Sequence, residues 1–322
     1  MTLLPDLFDG LLSDARDRLV SLPAVERPQL APVWAAPIAR RPERPRPHPA
    51  ADTEAALSFI TATESKPVFH SSAYTGGAPR LFFDTERHLV PVRDLRPLAG
   101  GLSLDQEGFE LHRSPSTVAD LHDEAAVEAL YLPEVEALLC RLTGAARVVA
   151  FDATRRTDGP GFVEGGVGKR GPARQVHVDY TRASGPRRAA DVLGTAEVER
   201  WLAAGGRIAQ INLWRPIRGP VERSPLALAD AASVRPAALV ATDQVFPDRV
   251  GEIYHLAYEP TQRWYWAPRM TPEEVLLIKG WDSRDDGRAR FTPHSAFDLP
   301  ATPPEAAPRE SIEVRTFALF AR

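Results

Sequence analysis

One cysteine, Cys140, is all the thiol chemistry the chain carries. No internal disulfide can form, and a zinc site built from several cysteines is excluded. A large charge of one sign is also missing: 39 Lys and Arg against 43 Asp and Glu leave a net charge of −4. That argues against a general nucleic-acid binder, which needs a basic face to neutralise phosphates. No run of ~18 apolar residues occurs, so no transmembrane helix is predicted. The opening stretch MTLLPDLFDG has acids at Asp6 and Asp9 and no basic residue, and does not read as a secretory signal. Cytoplasm is the compartment expected by default. What remains, 322 residues with 43% hydrophobic and 25% charged, fits a globular chain able to bury a sizeable core. The length suits one large decorated domain or two domains.

Proline, by contrast, is abundant, with 31 residues. Residues 5–22 have helical spacing at Leu7, Leu11, Leu12, Ala15 and Leu19, and Pro23 stops the pattern. Between Pro23 and Pro49 prolines recur every few residues, with Arg40, Arg41, Arg44 and Arg46 among them, which excludes a helix or central strand. That stretch reads as an extended surface arm. A helix is predicted for TEAALSFITAT, capped by Asp52 or Thr53. Strands are predicted around LFFD and HLVPV. A helix from Thr117 to Leu142 is interrupted near Pro133 and stopped by Gly144. Beyond Gly144, short β-rich runs alternate with turns: ARVVAFDA, RQVHVDYT, RIAQINLW, ALVAT, EIYHLAYE, RWYWA, VLLIKGWD and RESIEVRTFALF. Only TAEVERWLAAG and PLALADAAS look helical there. The expected organisation is an N-terminal helix and Pro-rich arm (1–50), a helical decoration (51–145) and a β core (146–322). The fold class is mainly β with a helical N-terminal part, its core a sandwich, barrel or jelly roll. No internal repeat is evident.

The eight histidines locate the chemistry. His122 and Glu124 share H-x-acid spacing but lie in a helical pattern, where i and i+2 do not share a face; His122 reads as a surface residue. His177 and Asp179 lie in the strand pattern RQVHVDYT, where i and i+2 project together. Two ligands alone also describe a solvated strand pair. His294, in RFTPHSAF far downstream, is the best third candidate. A strand-borne H-x-D with a distant histidine is the 2-His-1-carboxylate pattern of non-haem Fe(II) oxygenases, in which three ligands on one face leave the other open.

The C-terminal run supplies a second constellation. Alternation puts Arg309, Ser311, Glu313 and Arg315 on one strand face and Ile312 and Val314 on the other. Charges on an inner face need a partner. Arginine offers a bidentate fork for a carboxylate, and a serine hydroxyl adds a hydrogen bond. Arg309 and Ser311 suit the distal carboxylate of 2-oxoglutarate, with Arg315 as the other candidate; Arg315 can instead pair with Glu313 or a substrate acid.

Taken together, HVDYT, INLWRPIRGPV, PLALADAAS, GEIYHLAYEPTQRWYWAPRM, EEVLLIKGWDS, DGRARFTPHSAFDLP and RESIEVR make the stretch from Leu111 to Phe320 resemble the AsaB-type hydroxylase/desaturase family, which includes gibberellin desaturase-like and CmcJ-like proteins. That family is similar to Fe(II)/2-oxoglutarate-dependent oxygenases. The resemblance implies a double-stranded β-helix (jelly roll, cupin-like) core, Fe(II) held by His177, Asp179 and His294, 2-oxoglutarate clamped by Arg309 and Ser311, and O2 as oxidant. It implies hydroxylation or desaturation of a small-molecule C–H in natural-product metabolism. Two other readings stand beside it: a non-catalytic accessory subunit of a methyltransferase or tailoring partner, and a zinc hydrolase using the same three ligands.

Several residues have smaller roles. Tyr180, Trp214 and Arg215 are candidates for the substrate border. His255 and Cys140 read as core residues. Lys279 and Asp282 read as an ordinary ion pair. The stretch EGGVGKRG (164–171) lacks the lysine and hydroxyl placement of a phosphate loop and reads as a loop before the ligand strand.

Overall fold

Alternation of side chains, rather than residue propensity, decides the first element. In the computed structural model, which describes residues 52–159, 170–300 and 302–322, the segment TEAALSFI is strand β1 (Thr53–Ile60) and not the expected helix. Ala55, Leu57 and Phe59 alternate into a core, and the strand pairs along its whole length with β4 (Thr85–Asp94), giving a period-two pattern that overrides the helix-forming Ala, Leu and Glu. Between them lie β2 (Val68–His70), the single turn α1 (Ser72–Thr75) and β3 (Arg80–Leu81). The first half of the region expected to be a helical decoration is therefore built on strands. The predicted N-terminal helix and Pro-rich arm lie outside the described residues.

Strand β5 (Phe109–Arg113) precedes the one long helical stretch. It begins later than predicted, at α2 (Glu124–Ala126), where the Asp123 side chain accepts from the Ala125 amide. It passes through a π turn (Val127–Tyr131) into α3 (Leu132–Thr143). Pro133 does not break the helix: the widened turn before it takes up the missing amide. Gly144 ends it with φ 74°, as the sequence indicates.

The β-rich remainder follows prediction closely: β6 (Arg147–Thr157), β7 (His177–Val178), β8 (Arg207–Arg218), β10 (Leu239–Val245), β11 (Val250–Leu256), β12 (Trp264–Trp266), β13 (Glu274–Asp282) and β15 (Glu310–Phe320); the short β14 (His294–Ala296) was not anticipated. PLALADAAS is not a helix; it supplies β9 (Leu226–Ala229) and a 3-10 turn. Helix α5 (Thr195–Ala203) is as expected, whereas α4 (Ser184–Leu193) was not anticipated.

Among the described residues the strands form two sheets, one in the order β1-β4-β12-β9-β14-β7-β11-β10-β2-β3 and one in the order β5-β13-β8-β15-β6. Leu226, Leu228 and Tyr265 of the larger sheet share one apolar core with Phe109, Trp214, Leu276 and Ile278 of the smaller, so the two sheets face each other. The outer face of the small sheet, with Ile211, Leu213, Leu277, Ile312 and Val314, is covered by Tyr131, Val135, Leu138 and Leu139 of the helical stretch. Helices α4 and α5 close one end over Ile208, Trp281 and Phe317. Gly185 makes this possible, since a Cβ there would sit 2.4 Å from the Trp281 ring.

Arg215 belongs to the outer face. Its Nε donates to the Tyr131 hydroxyl at 2.8 Å, and Nη1 to the carbonyls of Ser114 and Pro272 at 2.7 and 2.6 Å. It fastens the helical layer to the sheet and does not border a substrate: Trp214 and Arg215 are consecutive on β8 and cannot face the same side. Arg215→Met leaves these acceptors unmet under the helix. The expected loss is about 2–4 kcal/mol in urea unfolding, with Mn(II) affinity unchanged.

Candidate metal centre

Two strands in register create the site. His177 on β7 and His294 on β14 are directly opposed, with ring centroids 4.5 Å apart at 54°. Asp179 follows two residues after His177. Ligand atoms of the three lie within 4.8 Å of one another. His177 Nδ1 donates to the carbonyl of Gln175 at 2.8 Å, and His294 Nδ1 to that of Thr292 at 3.0 Å. Each Nε2 is thereby left with its lone pair toward the shared space, the arrangement a metal requires.

The small sheet holds the carboxylate. Asn212 Nδ2 on β8 donates to Asp179 Oδ2 at 2.6 Å. Arg315 on β15 donates to both oxygens, Nη2 to Oδ1 at 3.1 Å and Nε to Oδ2 at 3.3 Å. Burial alone would raise the Asp179 carboxyl, but the Arg315 charge, the two histidines and the Asn212 hydrogen bond together outweigh it and keep it far below the usual carboxylate range. Arg315 also reaches Asp152 and Glu313. Its fork is thus engaged by protein carboxylates. Behind Asn212, Gln210 Nε2 donates to Asn212 Oδ1 at 2.5 Å. Gly280 gives that amide room, since a Cβ there would lie 1.9 Å from Gln210 Oε1.

Arg309 and Ser311 are buried on the same face of the small sheet as Arg315. Arg309 donates from its amide to Asp158 and from Nη1 to the Ser224 carbonyl, each at 2.7 Å, and its guanidinium lies 5.9 Å from the Trp214 ring centre. Its Nε is buried with no partner among the described residues. Burial pushes the Arg309 pKa down to about 9. Tyr180 packs toward the α4–α5 cap, and burial pushes its hydroxyl up to about 12.

His255 is buried as expected, yet it stands opposite His177 on β11, so His294, His177 and His255 form one row across β14, β7 and β11. Its Nδ1 bonds Thr242 Oγ1 at 3.0 Å, and the Phe83 ring centre lies 4.8 Å away. His122 is remote, partly exposed and paired with Glu310. Lys279 and Asp282 do pair, at 3.1 Å, but fully buried and joined by Asp105 and Arg207, which is no ordinary surface pair. Residues 164–169 of the glycine-rich stretch lie outside the described residues. Gln210, Asn212 and Asp152 were missed from the sequence. The available signal was RIAQINLW, where two amides two residues apart interrupt an apolar strand.

Against known proteins, the oxidoreductase/YMDC permease-like domain matches residues 57–319. Among the described residues no helix is long and apolar enough to cross a membrane. The chain is 33% identical over 270 residues to hydroxylase/desaturase efuI of Hormonema carpetanum, covering 76% of this chain and 88% of the relative. It is 32% identical over 253 residues to the Fe(II)/2-oxoglutarate-dependent dioxygenase nvfI of Aspergillus novofumigatus, with the same coverages. The solved structure of the iron and alpha-ketoglutarate-dependent endoperoxidase NvfI superposes with a TM-score of 0.74 at 28% identity, over 84% of this chain and 99% of that one.

Two outcomes follow from the geometry. Asn212→Ala frees one side of Asp179 and lowers Mn(II) affinity about 10- to 100-fold by calorimetric titration, with the fold retained. Burial holds the His177 pKa down to about 3 and that of His255 to about 4, against 6.5 in the unfolded chain. As pH drops from about 6.5 toward 4, the unfolded chain takes up two protons that the folded one refuses. Stability of the metal-free protein falls, with a slope approaching about 2.7 kcal/mol per pH unit. Urea midpoints across that range measure it, and a flat profile contradicts the assignment.

Proposed function

Because the chain belongs to the oxidoreductase family of these hydroxylase/desaturases and 2-oxoglutarate-dependent dioxygenases, we propose that it is a non-haem Fe(II)- and 2-oxoglutarate-dependent dioxygenase that hydroxylates or desaturates a C–H bond of a small molecule in natural-product metabolism. The observation that carries this reading is the convergence of His177, Asp179 and His294 between the two sheets. The donor set fits ferrous iron: two imidazoles with Nε2 free and one ionised carboxylate, which would hold the metal when it is bound. When bound, the iron activates O2 while 2-oxoglutarate supplies two electrons and leaves as succinate and CO2.

The rest is the protein's work. Arg315 and Asn212 fix Asp179 so that one lone pair faces the metal. Arg309 and Ser311 take the distal carboxylate of 2-oxoglutarate, for which the unpartnered Arg309 Nε is support. Trp214, beneath Arg309, walls this pocket from the apolar space between the sheets. On the other side of His177, His255 and Phe83 form the wall we assign to the substrate, with Tyr180 at its border. The facing sheets are read as a double-stranded β-helix, extended by β1 and β4 beyond the core of residues 146–322. The single cysteine supports a cytoplasmic setting.

An accessory subunit has no need of an intact ligand set with a clamped carboxylate, and a zinc hydrolase leaves Arg309 without a role. Purified protein with Fe(II), 2-oxoglutarate and O2 is expected to release succinate, and His177→Ala to abolish it. Activity that survives without oxygen and with Zn(II) in place of iron contradicts the proposal.

A further inference from the structure

Arg156 lies next to the site and has no role in the reading so far. It is on β6, directly opposite Ser311 of β15. Opposed residues of an antiparallel pair project from the same face with Cβ atoms about 4.5–5.5 Å apart. Arg156 therefore stands over the pair Arg309 and Ser311, on the face that carries Glu313 and Arg315. Its one side-chain hydrogen bond among the described residues runs from Nη1 to the Gly171 carbonyl at 2.9 Å, and no carboxylate of those residues comes within ion-pair distance. Arg315, two steps further along the same face, is saturated by three carboxylates. Arg309 is not: Asp158 accepts from its backbone amide, and its Nε has no acceptor.

Two buried guanidiniums thus lie near one another; among the described residues Glu313 and Asp158 are close enough to act on them, but no carboxylate forms an ion pair with either. Burial, and next the like charge of Arg156, push the Arg309 pKa down. Such a pair is unfavourable unless an anion fills the gap. Resting on the 2-oxoglutarate reading above, we propose that Arg156 is the second arm of an anion cradle, which with Arg309 and Ser311 grips the remote carboxylate of the dicarboxylate co-substrate. The cradle selects for a 2-oxo acid carrying a second carboxylate, which a single arginine does less strictly.

The test is anaerobic titration of Mn(II)-loaded full-length protein with 2-oxoglutarate and with 2-oxobutyrate, which lacks the remote carboxylate. Arg156→Gln is expected to weaken 2-oxoglutarate about 10- to 100-fold, to leave Mn(II) affinity and thermal unfolding unchanged, and not to alter 2-oxobutyrate binding. Arg156→Lys is expected to recover part of the loss, because it restores the charge without the fork. Wild-type affinity for 2-oxoglutarate in folded Arg156→Gln overturns the cradle and assigns Arg156 to an anionic group of the substrate. Absence of 2-oxoglutarate binding in the wild type overturns the enzymatic reading itself, a separate outcome.

Discussion

The centre depends on one carboxylate held across the gap between two sheets. His177, Asp179 and His294 are carried by the large sheet, whereas Arg315 and Asn212, which grip Asp179, are carried by the small one. A buried carboxylate without partners is costly, and a bidentate guanidinium offsets that cost only in good geometry. The spacing of the sheets at this point is therefore set by the length of that contact. Gly280 belongs to the same arrangement: only a residue without a side chain lets Gln210 lie behind Asn212 and orient its amide.

Pleating divides the labour on the small sheet. On β8, Gln210, Asn212 and Trp214 face the interior, while Ala209, Ile211, Leu213 and Arg215 face the helical layer. On β15, Ser311, Glu313 and Arg315 face inward and Ile312 and Val314 outward. Chemistry and packing thus alternate residue by residue along the same strands. The α2–α3 stretch buries the outward rows and so keeps the inward ones in place.

This alternation also explains what was legible in the sequence. H-x-D on a strand and the alternating tail could be read because a period of two fixes which side chains travel together. His294 joined them because few histidines compete for the third position. The role of Arg315 was left open, since spacing says which face a side chain takes but not which carboxylate across the gap it meets. Asn212 was hidden for the same reason. β1 was misread because its Ala, Leu and Glu favour a helix locally, while its eight-residue pairing with β4 depends on a partner distant in sequence. Arg215 was misassigned by taking two adjacent residues as one group.

The shortness of β7 has a consequence for how this family can vary. With two residues, the strand is aligned by what its neighbours on β14 and β11 offer it and by the bridge that ties Gln175 to Ser58 of β1. A slip by a single position would turn every side chain to the reverse surface and empty the centre at one stroke. Length changes are thus barred from Gln175 through Asp179, where a single inserted residue would turn a ligand out of the centre.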